Sequence, residues 1–207
     1  GGIYLPSGNA NLNHVTISGN TTSTGNQGPG IRLQALGIVT FTNSIVANND
    51  CSSLGSIVTE GYNLEDGTTC VFTDTMDIQS TPAGLDMLRD NGGATLTFAL
   101  LPGSAAIDVI PSGTNNCGAM YSSDQRLEPR PVDYDLDTNN NCDIGAFELQ
   151  GDETFAQTGS GTFGATMLQI AYNSGDAGTI TVTKHNQPPG GLPAGADEMP
   201  TQWNISP

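Results

Sequence analysis

In PVDYDLDTNNNCDIGAFE, residues 131–148, an oxygen-bearing side chain recurs at every second position: Asp133, Asp135, Asp137, Asn139 and Asn141. A hard cation such as calcium takes about six to eight oxygens from carboxylates, amides and carbonyls, and this series supplies them at close spacing. Calcium is therefore the candidate cofactor, and these five residues its candidate ligands. The spacing begins like the helix-flanked calcium loop and then departs from it, with Thr138 where that loop needs glycine and Ile144 where it needs glutamate. The same stretch also reads as a half-buried strand, because Val132, Tyr134 and Leu136 alternate with the three aspartates. Three carboxylates on one face repel one another unless something neutralises them, so both readings stay open.

Just upstream, DQRLEPR (124–130) sets Asp124 and Glu128 around Arg126 and Arg130, with Asp108 further back. These residues are expected to form a structural ion network, buried or half-buried. His14 and His185 are isolated in sequence and read as surface or packed side chains.

The elements that must position these groups are constrained by composition. The 207 residues carry five Lys plus Arg against 21 Asp plus Glu, a formal net charge of −16. Nucleic acid is a poor partner for such a chain, since phosphate binding needs clustered cations, and an anionic membrane surface is disfavoured for the same reason. No apolar run is long enough to span a bilayer. Cys51, Cys70, Cys117 and Cys142 lack metal-ligand spacing and read as two disulfides formed in an oxidising compartment. Of the three possible pairings, Cys51–Cys70 and Cys117–Cys142 are favoured because both are local. The chain opens on GGIYLPSGN, without a basic or apolar leader, so an exported protein of this sequence is expected to be a fragment or a processed piece.

Internal repetition supplies the architecture. NLNHVTISGN (11–20) aligns with TFTNSIVANN (40–49), placing Leu12 on Phe41, Ile17 on Val46 and Asn20 on Asn49, while GGIYL (1–5) aligns with PGIRL (29–33). Two copies of short β-branched runs ended by Gly and Asn predict stacked coils of a parallel β-solenoid. Leu12, Val15 and Ile17 then face inward, and Asn20 and Asn49 form a corner ladder. An antiparallel sandwich is the alternative.

The run GGIY, LNHVTISGN, VTFTNSIVANNDC, EGYNL, LRDNGGATLTFALLPGSAAID, DQRLEPRP and CDIGAFE resembles, in order, the C-terminal part of bacterial right-handed parallel β-helix surface proteins of the pectate-lyase-like superfamily, whose end region is called a choice-of-anchor Q domain. The resemblance covers residues 1–149. It implies an all-β fold, a right-handed parallel β-helix end with a disulfide-bonded cap, and a secreted or bacterial cell-surface location. Within that cap, GLDMLRD (84–90) is expected to make a short helical turn and TLTFALL (95–101) a strand. β-Helices also carry polysaccharide lyases, in which calcium-binding carboxylates work with an Arg or Lys that removes a proton, and only Asp124, Arg126, Arg130 and the Asp series could supply both. A hydrolase needs two carboxylates at controlled separation, and residues 1–49 offer no such pair.

Past Glu148 the texture changes. Strands are expected within 161–172, 178–185 and 201–206, giving a partial β-sandwich-like module over 150–207 completed by missing residues or another subunit. The functional expectation is a non-catalytic structural or adhesive protein, a possible homo-oligomer or filament subunit joined head to tail by strand addition, meeting cell-surface or extracellular matrix components. The alternatives are a carbohydrate-binding β-helix and a calcium-dependent lyase. Aromatic residues are only 6%, which weakens a sugar-binding platform.

Overall fold

The structure is a computed structural model that describes residues 2–22, 28–134 and 139–150, together with the strand backbone named below for the C-terminal part. The chain divides into two compact units, residues 1–150 and 151–207. It is all-β, and among the described residues no helix is long and apolar enough to cross a membrane.

In the first unit the chain lays down strands in successive rows. The rows are β1 (Ile3–Asn13) with β2 (Thr16–Ser18), β3 (Ile31–Thr42) with β4 (Ile45–Ala47), and β5 (Cys51–Ser53) and β6 (Ser56–Thr59) with β7 (Leu64–Glu65); β8 (Ile78–Gln79) follows alone. Strands β1, β3 and then β5 and β6 make one parallel sheet, and β2, β4, β7 and β8 make a second. The register is the one the repeats predict: Ile3 lies on Ile31, Leu5 on Leu33, Leu12 on Phe41 and Ile17 on Val46. Between the sheets, Ile17, Ile31, Leu33, Val39, Phe41 and Val46 form a core. Each such side chain, once fully buried, contributes about 1.5–3 kcal/mol.

Corners are made by residues that tolerate the left-handed region. His14, Asn43 and Tyr62 occupy equivalent corners with φ of 50°, 52° and 57°. Asn49 fastens the next corner, accepting from Asn20 N–H at 2.9 Å and donating to the carbonyls of Ala47 and Ile17. This is the expected asparagine ladder.

Residues 83–149 depart from expectation. They do not close the end of the stack but lie on its flank. Ile45, Ala47 and Leu64, on the outer face of the second sheet, share a separate core with Ala99, Leu100, Ala106, Ile110, Ile144, Phe147 and Leu149. The end of the stack is filled instead by the loop after β7, whose Cys70 and Phe72 enter the inner core, with the Phe72 ring 5.2 Å from that of Phe41. The expected helical turn at 84–90 is a strand, β9 (Leu85–Arg89), paired antiparallel with β10 (Thr97–Leu100), so that Leu85 meets Leu100 and Leu88 meets Phe98. Nor are residues 131–134 a strand; they are irregular, with bends at Pro131 and Tyr134. Both disulfides are Cys51–Cys70 and Cys117–Cys142, and no cysteine is free.

The second unit holds β11 (Phe155–Gln157), β12 (Gly161–Phe163), β13 (Leu168–Ile170), β14 (Ile180–His185) and β15 (Gln202–Ser206). Strands β11, β14 and β15 form an antiparallel sheet, and β12 pairs with β13. The single strand expected within 161–172 is thus a pair of short antiparallel strands.

Candidate functional site

Among the described residues two cations are buried, Arg126 at 7% and Arg130 at 3% exposure. In so acidic a protein this is the feature that marks a built charge cluster. Flank loops bring the members together. Asp124 accepts from Arg126 Nε at 2.8 Å and lies 2.7 Å from its Nη2, while its other oxygen takes the N–H groups of Arg126 and Glu128. The Arg126 guanidinium also sits 3.6 Å over the Phe147 ring and donates to the Glu148 carbonyl.

Arg130 occupies the deeper position. Its Nε lies 2.9 Å from Glu148 Oε2, an ion pair whose N–H is not directed along the contact; Nη2 donates to Gly145 O at 3.0 Å; Nη1 meets His14 Nδ1. Glu148 in turn accepts the backbone N–H of Val132 at 2.9 Å and of Asp143 at 3.0 Å. Asp143 accepts those of Asp108 at 2.8 Å and Leu149 at 2.5 Å. The carboxylates therefore act as turn-holders: each fixes backbone donors that a buried loop must otherwise leave unsatisfied.

Burial sets the electrostatics. It pushes the Asp143 carboxyl up to about 7, with Asp108 adding to the rise against the lowering by backbone donors and Arg130. Burial and then the neighbouring Asp143 push Glu148 up to about 9, against the pull of Arg130. His14 is driven down to about 3, first by burial and then by the Arg130 charge, so its ring is neutral and serves as an acceptor for a cation.

Of the expected ion network, Asp124, Arg126 and Arg130 are central. Asp108 joins through its backbone, donating N–H to Asp143 and accepting the Asn141 amide at 3.0 Å. Glu128 contributes only its backbone groups, which bond to Asp124. The sequence reading missed His14, Asp143 and Glu148. The signal available for the last two was CDIGAFE itself, two acids set among small and apolar residues.

Of the five candidate calcium ligands, Asp135 and Asp137 lie outside the described residues. Asp133 is half-buried, Asn139 is exposed, and Asn141 donates its N–H to the Asn139 carbonyl. Among the described residues no group of three or more His, Cys, Asp or Glu is placed to hold a metal ion.

A partly open cleft of about 290 Å³ lies where the β1–β2 corner meets the flank, lined by Asn13, His14, Tyr121, Ser123, Gln125 and Arg130 among others. The Tyr121 ring is tilted against His14 at 5.4 Å. No protein-family model, curated protein or solved structure matches the chain.

Proposed function

We propose that this chain is a structural or adhesive module of an extracellular surface protein, a parallel β-helix end without chemistry of its own that extends by strand addition. One observation carries the reading. The inward residues of β1, namely Ile3, Leu5, Ala10 and Leu12, are only half-buried, while their partners Ile31, Leu33, Val39 and Phe41 in β3 are at most 1% exposed. Among the described residues the edge of β1 away from β3 has no strand paired to it and its apolar side chains are only half-buried; an edge of this kind takes a further strand, from the same chain or from a neighbour.

The placement of charge supports a scaffold rather than an enzyme. Arg126 and Arg130, the cations a lyase would use as base, are buried against carboxylates, and those carboxylates hold backbone turns. Two disulfides suit an oxidising, extracellular setting. Calcium at 133–141 belongs to this reading as a surface brace, with Asp133, Asn139 and Asn141 among its ligands. Filament growth follows if neighbours add strands head to tail, since a heterologous contact that does not close gives a fibre. Analytical ultracentrifugation of the disulfide-intact chain tests the proposal: association that rises with concentration is expected, and a monomer at every concentration would end it.

The cleft favours a second reading, carbohydrate binding. An aromatic ring beside hydroxyl and amide groups suits one sugar ring. Calorimetric titration of sugars into the chain and a Tyr121→Ala variant decides it, since heat that survives the substitution places binding elsewhere.

A further inference from the structure

Asn91 and Gly92, in the loop that joins β9 to β10, form the one Asn-Gly dipeptide of the chain. Asparagine followed by glycine is the pairing in which the next backbone nitrogen reaches the side-chain amide most readily, because glycine has no Cβ to crowd the approach. Gly92 has φ of 92°, and a Cβ built there would meet nothing within 4 Å, so conformation and not crowding calls for the glycine.

Two contacts bracket the pair. The Gly92 N–H donates to Asp90 Oδ1 at 3.0 Å, a distance at which a carboxylate takes the proton of the group it activates. On the other side the Asn91 amide nitrogen donates to Thr97 Oγ1 at 3.1 Å and to Thr97 O at 2.9 Å. Asp90 thus holds an attacking nitrogen and Thr97 a departing one. Asp90 is exposed and Asn91 half-buried, so water reaches the loop, while Thr97 is buried and fixed opposite Arg89 in the hairpin. The Asn91 carbonyl accepts from Arg126 Nη1 at 3.4 Å, and a Cβ at Gly93 would lie 2.7 Å from Arg126 Cα, so the loop is seated directly on the charge cluster. Holding reacting groups in place in this way replaces a search by a single step.

We propose that Asn91 is a self-modifying residue, converted to aspartate and isoaspartate by attack of the Gly92 nitrogen with Asp90 as the base. The Asp90 carboxylate takes the Gly92 N–H proton as that nitrogen bonds to Asn91 Cγ. The Cγ–Nδ2 bond then breaks, the nitrogen takes a proton relayed through the Thr97 hydroxyl and leaves as ammonia, and Asp90 returns its proton to water. Water opens the resulting cyclic imide at either carbonyl: opening at Cγ gives aspartate, and opening at the backbone carbonyl gives isoaspartate. No oxidant, reductant or further reactant enters. Either product adds a negative charge to a loop that touches Arg126 and removes the amide donor that Thr97 accepts. Isoaspartate also adds a methylene to the backbone between β9 and β10.

The test follows residue 91 in the disulfide-intact chain at neutral pH by peptide mapping and mass spectrometry, which reads the replacement of an amide by a carboxyl. The folded chain is compared with the same chain in urea and with folded Asp90→Asn. That variant keeps the side-chain oxygen that accepts the Gly92 N–H, removes the base, and lies at an exposed position. Conversion at least about tenfold faster folded than in urea, and slowed at least about tenfold by Asp90→Asn, is the expected result. A residue 91 that stays an amide, or that converts no faster folded than in urea, overturns the proposal without reference to any variant. A folded rate that Asp90→Asn leaves unchanged overturns it as well.

Discussion

Arg130 Nε and Glu148 Oε2 face each other at 2.9 Å with both side chains buried, and the pair joins the loop at 130 to the chain's 143–148 turn. With the Glu148 carboxyl protonated up to about pH 9, what Arg130 supplies is buried donors: Arg130→Met leaves the Gly145 carbonyl and the His14 ring without theirs. Arg130→Met is expected to cost about 1–3 kcal/mol in urea unfolding. Glu148→Gln should cost less, because its amide oxygen still accepts one of the two backbone N–H groups that Glu148 holds.

Stability should peak in mildly acidic solution. The Glu148 carboxyl has a folded pKa raised from its ordinary value to about 9, so its contribution is full below about pH 4.5 and is lost as pH rises towards 9. His14 has a folded pKa depressed to about 3, so its neutral form contributes above about pH 6.5, and that stability is lost as pH falls towards 3. Thermal melts across pH 3–9 should show both limbs, each changing by up to about 1.4 kcal/mol per pH unit and per proton. His14→Asn should flatten the acid limb, and Glu148→Gln should lessen the alkaline one, leaving the part below about pH 7 that the raised Asp143 carboxyl contributes; an unaltered profile in both variants would contradict the assignment.

Gly145 has φ of 97°, and a Cβ there would sit 2.7 Å from Thr16 Oγ1 and 2.8 Å from Ile45 Cδ1. The glycine lets the flank lie directly on the second sheet. Gly145→Ala is expected to destabilise by about 1–3 kcal/mol, through backbone strain and the clash together. A neutral effect in denaturant would mean the flank is not packed this closely.

If calcium braces 133–141, a chelator should lower the melting temperature, and adding calcium back should restore it. Calorimetry that shows no calcium binding, with identical melts in both conditions, removes the ion from the account.

What the sequence revealed depended on how local the signal was. The row register was legible because Leu12 and Phe41, or Ile17 and Val46, recur at matching places, and a parallel stack turns such a repeat directly into contact. The disulfides were legible for the same reason, each closing a short loop. Leu85 and Leu88 misled: their spacing suits a helical turn, but the partner that decides the matter, β10, lies across a hairpin. Nothing local to residues 104–149 states whether they cover an end or a flank, since apolar residues such as Ile110 and Phe147 would serve either. His14 joined the charge cluster because Arg130, 116 residues later, folds back onto the first corner.

Hydrogen exchange of the β1 amides, measured at low and high concentration of the disulfide-intact chain, tests strand addition most directly. The account predicts that protection over Ile3–Asn13 grows with concentration, and that Leu5→Lys, which places a charge on the open edge, abolishes the growth. Protection over β1 that is identical at every concentration would contradict it.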